Sequence, residues 1–271
     1  MPRPRVELPG RRHTVDARFR VTPFLARGIA LTAAAALLLG AQLSSQEREF
    51  TRTRDWHVPY RGEHELELRS FFDTSHGDYS GQLEYEYGVT DSFAFEPGIE
   101  FREEGDGDWE VEAAEVELRF ALGEFRRDAW LPGLNVEYEY SFEDEESNAL
   151  VLKGVLSRYG ELDDFTINLN VERELEHERE TATELTGGWI RSLGLGGSRE
   201  SDESYDSYES KQWKAGIEGV QDFEEHDLRL GPVVNLRLDR HMNFVASWLF
   251  AIDDRHKGNF DELGIIIEFE L

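Results

Sequence analysis

Residues 79–101 read YSGQLEYEYGVTDSFAFEPGIEF, and the fold turns on how they are read. Tyr79, Gly81, Leu83, Tyr85 and Tyr87 share one face of an extended chain, while Ser80, Gln82, Glu84 and Glu86 share the other. Successive side chains of a strand point to opposite faces, so this period of two marks a strand with one oily and one charged side. Gly88-Val89-Thr90-Asp91 makes a turn. Phe93, Phe95, Pro97, Ile99 and Phe101 then oppose Glu96, Glu100 and Arg102.

Outward from this hairpin the rhythm repeats. Leu134, Val136, Tyr138, Tyr140 and Phe142 oppose Asn135, Glu137, Glu139 and Ser141. Leu228, Leu230, Pro232, Val234, Leu236 and Leu238 form another oily row, and Phe244, Ala246, Trp248, Phe250 and Ile252 a further one. Val116, Leu118, Phe120 and Leu122 alternate with Glu115, Glu117 and Arg119, with a phase slip at Ala113-Ala114 that predicts a bulge. Phe165, Ile167, Leu169 and Val171 continue the series, and 64–73, 148–159, 181–193 and 211–223 are further strands whose facing the pattern leaves open. The count is twelve, with ten and fourteen as alternatives, since single-chain bacterial membrane barrels use even numbers.

A soluble sandwich would bury the oily face, whereas a membrane barrel turns it to lipid. Aromatic residues enriched on the oily rows, segments of spanning length and very short turns favour the barrel. The expected fold is all-β, a transmembrane up-and-down antiparallel barrel over residues 63–271. A soluble exported all-β binding protein is the rival in another class. The net charge of −28 argues against nucleic acid as a partner. The absence of cysteine removes disulfides, thiol nucleophiles and thiolate metal sites.

Gly28 to Leu43 reads GIALTAAAALLLGAQL after seven arginines, which is the layout of a cleaved export signal over residues 1–41. Removing seven arginines and two acids with that leader takes the net charge from −28 to −33. Residues 42–62 are read as a polar periplasmic segment ahead of the barrel.

The chain closes with Leu263-Gly264-Ile265-Ile266-Ile267-Glu268-Phe269-Glu270-Leu271. Leu263, Ile265, Ile267, Phe269 and Leu271 place an apolar group at every second position, with an aromatic third from the end. This resembles the C-terminal assembly signal of outer-membrane proteins, although that pattern prefers a final Phe. The stretches LEYEYGVTDSFAFEPGIEF and LRLGPVVNLRLDRHMNFVASWLF, with Gly231-Pro232, also resemble the meta-pathway phenol-degradation outer-membrane proteins. That likeness implies a barrel and passage of small molecules, and it carries no site residues. Together the resemblances imply a bacterial outer membrane location, with lipid, lipopolysaccharide, the Sec export system and the barrel-assembly machinery as partners.

With both termini in the periplasm, the outer connections run near Asp73–Asp78, Glu103–Asp108, Glu143–Asn148, Glu174–Glu180, Asp222–Asp227 and Asp253–Asn259, each with at least two acids. Leu193 to Ser210 then falls on the periplasmic side, where turns are usually short, so either a strand is miscounted or the stretch is an insert. An acidic mouth concentrates cations. The expected function is a narrow passive channel for small solutes or cations. Its lumen would be lined by Glu84, Glu86, Glu96, Glu100, Glu115, Glu117, Glu137 and Glu139 with Arg69, Arg102, Arg119, Arg229 and Arg237. Outer loops this short cannot fold inward, so any filter is expected to be the wall itself. A closed structural barrel filled by those same side chains is the alternative. A divalent-cation site at the outer rim would use His76, His177, His226 or His256, though their spacing matches no metal motif. The sequence holds no G-x-S-x-G, H-E-x-x-H or P-loop. No catalytic residue and no cofactor is assigned, and an embedded hydrolase would have only Asp253-Asp254 with His256, or His76 with Asp78.

Overall fold

The twelve alternating segments form twelve antiparallel strands that close on themselves. The computed structural model describes residues 48–74, 77–104, 108–143, 147–176, 180–194, 212–239, 241–252 and 261–271. The leader read over residues 1–41 lies outside them. The strands are β1 (His64–Asp73), β2 (Tyr79–Thr90), β3 (Phe93–Glu104), β4 (Asp108–Ala121), β5 (Leu131–Ser141) and β6 (Ala149–Tyr159). They continue as β7 (Asp163–Glu174), β8 (Thr181–Ser192), β9 (Gln212–Asp222), β10 (Asp227–Asp239), β11 (Met242–Ala251) and β12 (Asp261–Glu270). Each pairs with its sequence neighbours, and β1 pairs with β12 to complete an up-and-down barrel. Closure satisfies every strand edge, which a sheet immersed in lipid requires.

The closing register sets Glu65 opposite Glu270, Glu67 opposite Glu268 and Leu68 opposite Ile267. The apolar rows face outward: Leu83, Phe95, Ile99, Val116, Tyr138, Leu152, Ile167, Leu169, Trp248 and Phe250 are all exposed. Their charged neighbours are buried, among them Glu84, Glu96, Glu117 and Arg119. A water-soluble protein has the reverse arrangement. Here hydrocarbon covers the outside, and the interior is the polar phase. The phase slip in β4 is a bulge, with Glu112 unmatched between Phe101↔Val111 and Glu100↔Ala113.

Both the C-terminus and connections 91–92, 122–130 and 160–162 lie at one end of the barrel, called here the C-terminal end. The twelve-strand count leaves no strand miscounted, and most of the stretch Leu193 to Ser210 lies outside the described residues.

Candidate functional site

The segment before β1, Arg48-Glu49-Phe50-Thr51-Arg52-Thr53-Arg54-Asp55-Trp56-His57-Val58, has no alternation and forms no strand. It lies inside the barrel, with all of these residues buried except Arg52. Its contacts begin near the C-terminal end, where Asn235 and Asn243 donate to the Arg48 carbonyl at 2.6 and 2.8 Å. They rise to Arg52, which reaches Glu262 near the start of β12. They then descend to Trp56, whose indole N–H donates to the Pro132 carbonyl at 2.8 Å near the start of β5. The segment is a re-entrant plug.

Two apolar anchors hold it. Phe50 is fully buried against Ile190, Val233, Val245 and Ile266. Its ring takes the space a side chain at position 188 would need, because a Cβ on Gly188 would stand 2.1 Å from it. Trp56 and Val58 pack with Ala94, Ala121, Leu131, Val155 and Tyr159. Where the segment leaves for β1, a Cβ on Gly88 would stand 2.0 Å from the Tyr60 carbonyl oxygen. The wall is shaped for this occupant.

Between the anchors the plug is polar. The Glu218 carboxylate accepts the backbone N–H groups of Thr51, Arg52 and Thr53 at 3.1, 2.7 and 2.8 Å, and the Thr51 hydroxyl at 2.7 Å. A carboxylate that gathers several backbone donors stabilises a tight turn with charge-assisted bonds. Arg54 reaches Glu96 directly and lies 3.6 Å from Glu67, 3.6 Å from Glu84 and 3.8 Å from Glu117. Arg48 pairs with Glu67 at 2.5 Å. Wall cations complete the network. Arg69 contacts Glu67, Glu84 and, at 3.7 Å, Glu96. Arg119 contacts Glu86 at 2.5 Å and Asp55 at 3.8 Å. Lys153 pairs with Glu137 at 2.6 Å and lies 3.6 Å from Glu117. Burying a charged carboxylate is costly unless it is paired in this way.

The plug divides the lumen unequally. On the C-terminal side a cavity of about 20 Å³ remains between Arg48, Asp55, His57, Glu65 and Glu268, room for about one water. Towards the opposite end a vestibule of about 500 Å³ opens above Arg52. Its wall includes Glu100, Glu139, Glu172 and Glu184, none of which pairs with a lysine or arginine among the described residues.

Of the residues singled out in the sequence, Glu84, Glu86, Glu96, Glu115, Glu117, Arg119, Glu137 and Arg237 are buried in the interior, and Glu100 and Glu139 line the vestibule. Arg229 bonds to Asp227 at 2.6 Å and Glu262 at 3.2 Å, and Arg102 pairs with Glu112 at 2.8 Å. Leu263, Ile265, Ile267 and Phe269 face outward on β12, with Phe269 opposite Leu66 of β1, and Leu271 follows the strand, its N–H bonded to the His64 carbonyl. His226 is an exposed turn residue with φ of 56°, while His76, His177 and His256 lie outside the described residues. No group of three metal-ligating side chains occurs among the described residues.

One expectation is corrected. The stretch 42–62 does not simply precede the barrel, because 48–58 fill its interior. The missed signal was charge: Arg48, Arg52 and Arg54 cluster in a strongly acidic chain whose inner wall carries more Glu than Arg, beside Phe50, Trp56 and Val58 in no strand pattern.

No family model matches the chain, and no curated protein matches it. Solved structures do. A KdgM porin in complex with disordered oligogalacturonate superposes with a TM-score of 0.55 at 8% identity, over 76% of this chain and 99% of that one. An outer membrane channel from Pseudomonas putida F1 gives a TM-score of 0.50 at 10% identity, over 80% of this chain and 98% of that one. The fold is that of a bacterial outer-membrane barrel. The lipid-facing belt of this barrel places it in that membrane. The resemblance to the phenol-degradation family stays one of strand and turn rhythm.

Proposed function

We propose that this barrel is a narrow passive channel for small solutes, with a preference for cations, held shut by its own residues 48–58. The supporting observation is the pairing of an acid-walled vestibule, open to one side, with a plug that fits recesses in the wall. Unpaired Glu100, Glu139, Glu172 and Glu184 give the vestibule a negative potential that raises the local concentration of cations. The outer connections add an acidic rim. In this reading the leader 1–41 directs export, the strand ending at Leu271 guides assembly, and lipid and lipopolysaccharide surround the belt.

A plug held by two apolar anchors and a set of ion pairs can leave, at a cost set by both. Planar-bilayer recording of the refolded protein tests this. The wild type should be mostly silent, and the double variant Phe50→Ala/Trp56→Ala should give steady cation-selective conductance. A variant that shows the folded, heat-modifiable gel mobility yet stays silent would favour the second reading, a closed structural barrel, for which the dense ion network around Arg54 is the supporting observation.

A further inference from the structure

The plug's half-buried arginine, Arg52, occupies a site built for a group like its own. Arg52 is the one residue of 48–58 that is not buried, and its guanidinium forms the vestibule floor. Its Nε donates to Glu262 Oε1 at 2.8 Å and its Nη2 to Oε2 of the same carboxylate. Its Cζ stands 3.8 Å above the Phe71 ring. A carboxylate taken by two N–H bonds from one guanidinium, with an aromatic ring beside its Cζ, selects a guanidinium over a compact ammonium. Glu262 is also held by Arg229 at 3.2 Å, which fixes its orientation without the plug. Above this floor lie Glu139, Glu172 and Glu184, none of them in an ion pair with a lysine or arginine among the described residues.

We propose that the vestibule binds small organic cations carrying a guanidinium, and that Arg52 is a tethered occupant of their site. The free solute's guanidinium would replace that of Arg52 on Glu262 and Phe71. A second positive group on the solute would meet Glu139, Glu172 and Glu184. Binding a solute and holding the plug down are then competing uses of one carboxylate. This identifies the solute class of the channel proposed above and rests on that reading only for its destination, since binding is measured without transport.

Calorimetric titration of the refolded protein in detergent with agmatine, which has a guanidinium at one end and an amine at the other, tests the proposal. Arg52→Ala should bind agmatine at least about tenfold more tightly than the wild type, because it removes the internal competitor. Adding Glu262→Gln should abolish that gain. Adding Phe71→Leu should weaken agmatine about fivefold yet leave 1,4-diaminobutane, which lacks the guanidinium, nearly unchanged. Heat-modifiable mobility checks that each variant is folded. The proposal fails if Arg52→Ala binds agmatine no better than the wild type. It also fails if the two cations respond alike to Phe71→Leu, which would leave only diffuse attraction to an acidic wall. Conductance in the same preparations is a separate reading: agmatine binding to a barrel that never conducts would overturn the channel and keep the site.

Discussion

The two halves of the lumen are lined by the same strand rhythm, yet their carboxylates live differently. Around the plug, Glu67, Glu84, Glu96 and Glu117 all lie within reach of Arg54 and are buried. In the vestibule, Glu100, Glu139, Glu172 and Glu184 face an open cavity and form no ion pair with a lysine or arginine among the described residues. The difference comes in part from outside the wall. Eleven residues ahead of β1 add Arg48, Arg54 and the apolar anchors to the wall's own Arg69, Arg119 and Lys153, and turn one half of a polar tube into a packed core. What the wall dictates is the demand for positive charge; what the plug dictates is where that demand is met.

The sharpest way to break this contrast is to remove a cation from each half. Arg54→Met strands buried carboxylates and should destabilise the barrel by about 3–5 kcal/mol in urea unfolding. Arg102→Met removes the half-exposed partner of Glu112 and should cost less than about 1 kcal/mol. Equal losses would mean that water reaches both halves alike.

The apolar anchors come next. Because the chain has no cysteine, Thr53→Cys provides a single buried label site that reports plug departure. In that background Phe50→Ala should weaken docking by about 3 kcal/mol and speed thiol labelling about a hundredfold. Gly188→Val should do the same from the wall side, since its side chain needs the space of the Phe50 ring. Labelling that stays slow in both would show that the polar contacts suffice.

Glu218→Gln probes those polar contacts. It keeps the shape but loses the charge that gathers three backbone donors, so docking should weaken by about 1.5–3 kcal/mol on the same labelling assay. The smallest effect belongs to the vestibule. Glu139→Gln should leave stability within about 0.5 kcal/mol and lower cation selectivity slightly in a plug-weakened background. A large stability change there would show that the vestibule wall is packed after all.

The strands were legible because a membrane barrel writes its two solvents into every second residue, as Leu83 against Glu84 and Ile99 against Glu100 illustrate. Even the bulge at Glu112 showed as a phase slip. The plug was hidden for the opposite reason. Residues 48–58 touch strands from β1 to β12, so no local period records their surroundings, and the recess for Phe50 is made by Gly188, whose lack of a side chain leaves no mark in a hydrophobic pattern. The pairing of Arg54 with four glutamates from β1 to β4 likewise joins residues distant in the chain.

One feature of the closing register bears on how the cylinder comes together. Across the joint between first and last strands, Glu65 faces Glu270 and Glu67 faces Glu268, an arrangement that sets carboxyl groups face to face across the two edges. Arg48 spans this joint, its backbone N–H on Glu268 of β12 and its guanidinium on Glu67 of β1, and Arg52 spans it again between Glu262 and Phe71. Filling the tube and sealing its side are thus one event. A barrel emptied of its plug would be prone to gape laterally along that line, and the nascent chain has reason to lay down its own filling before the last ladder zips shut.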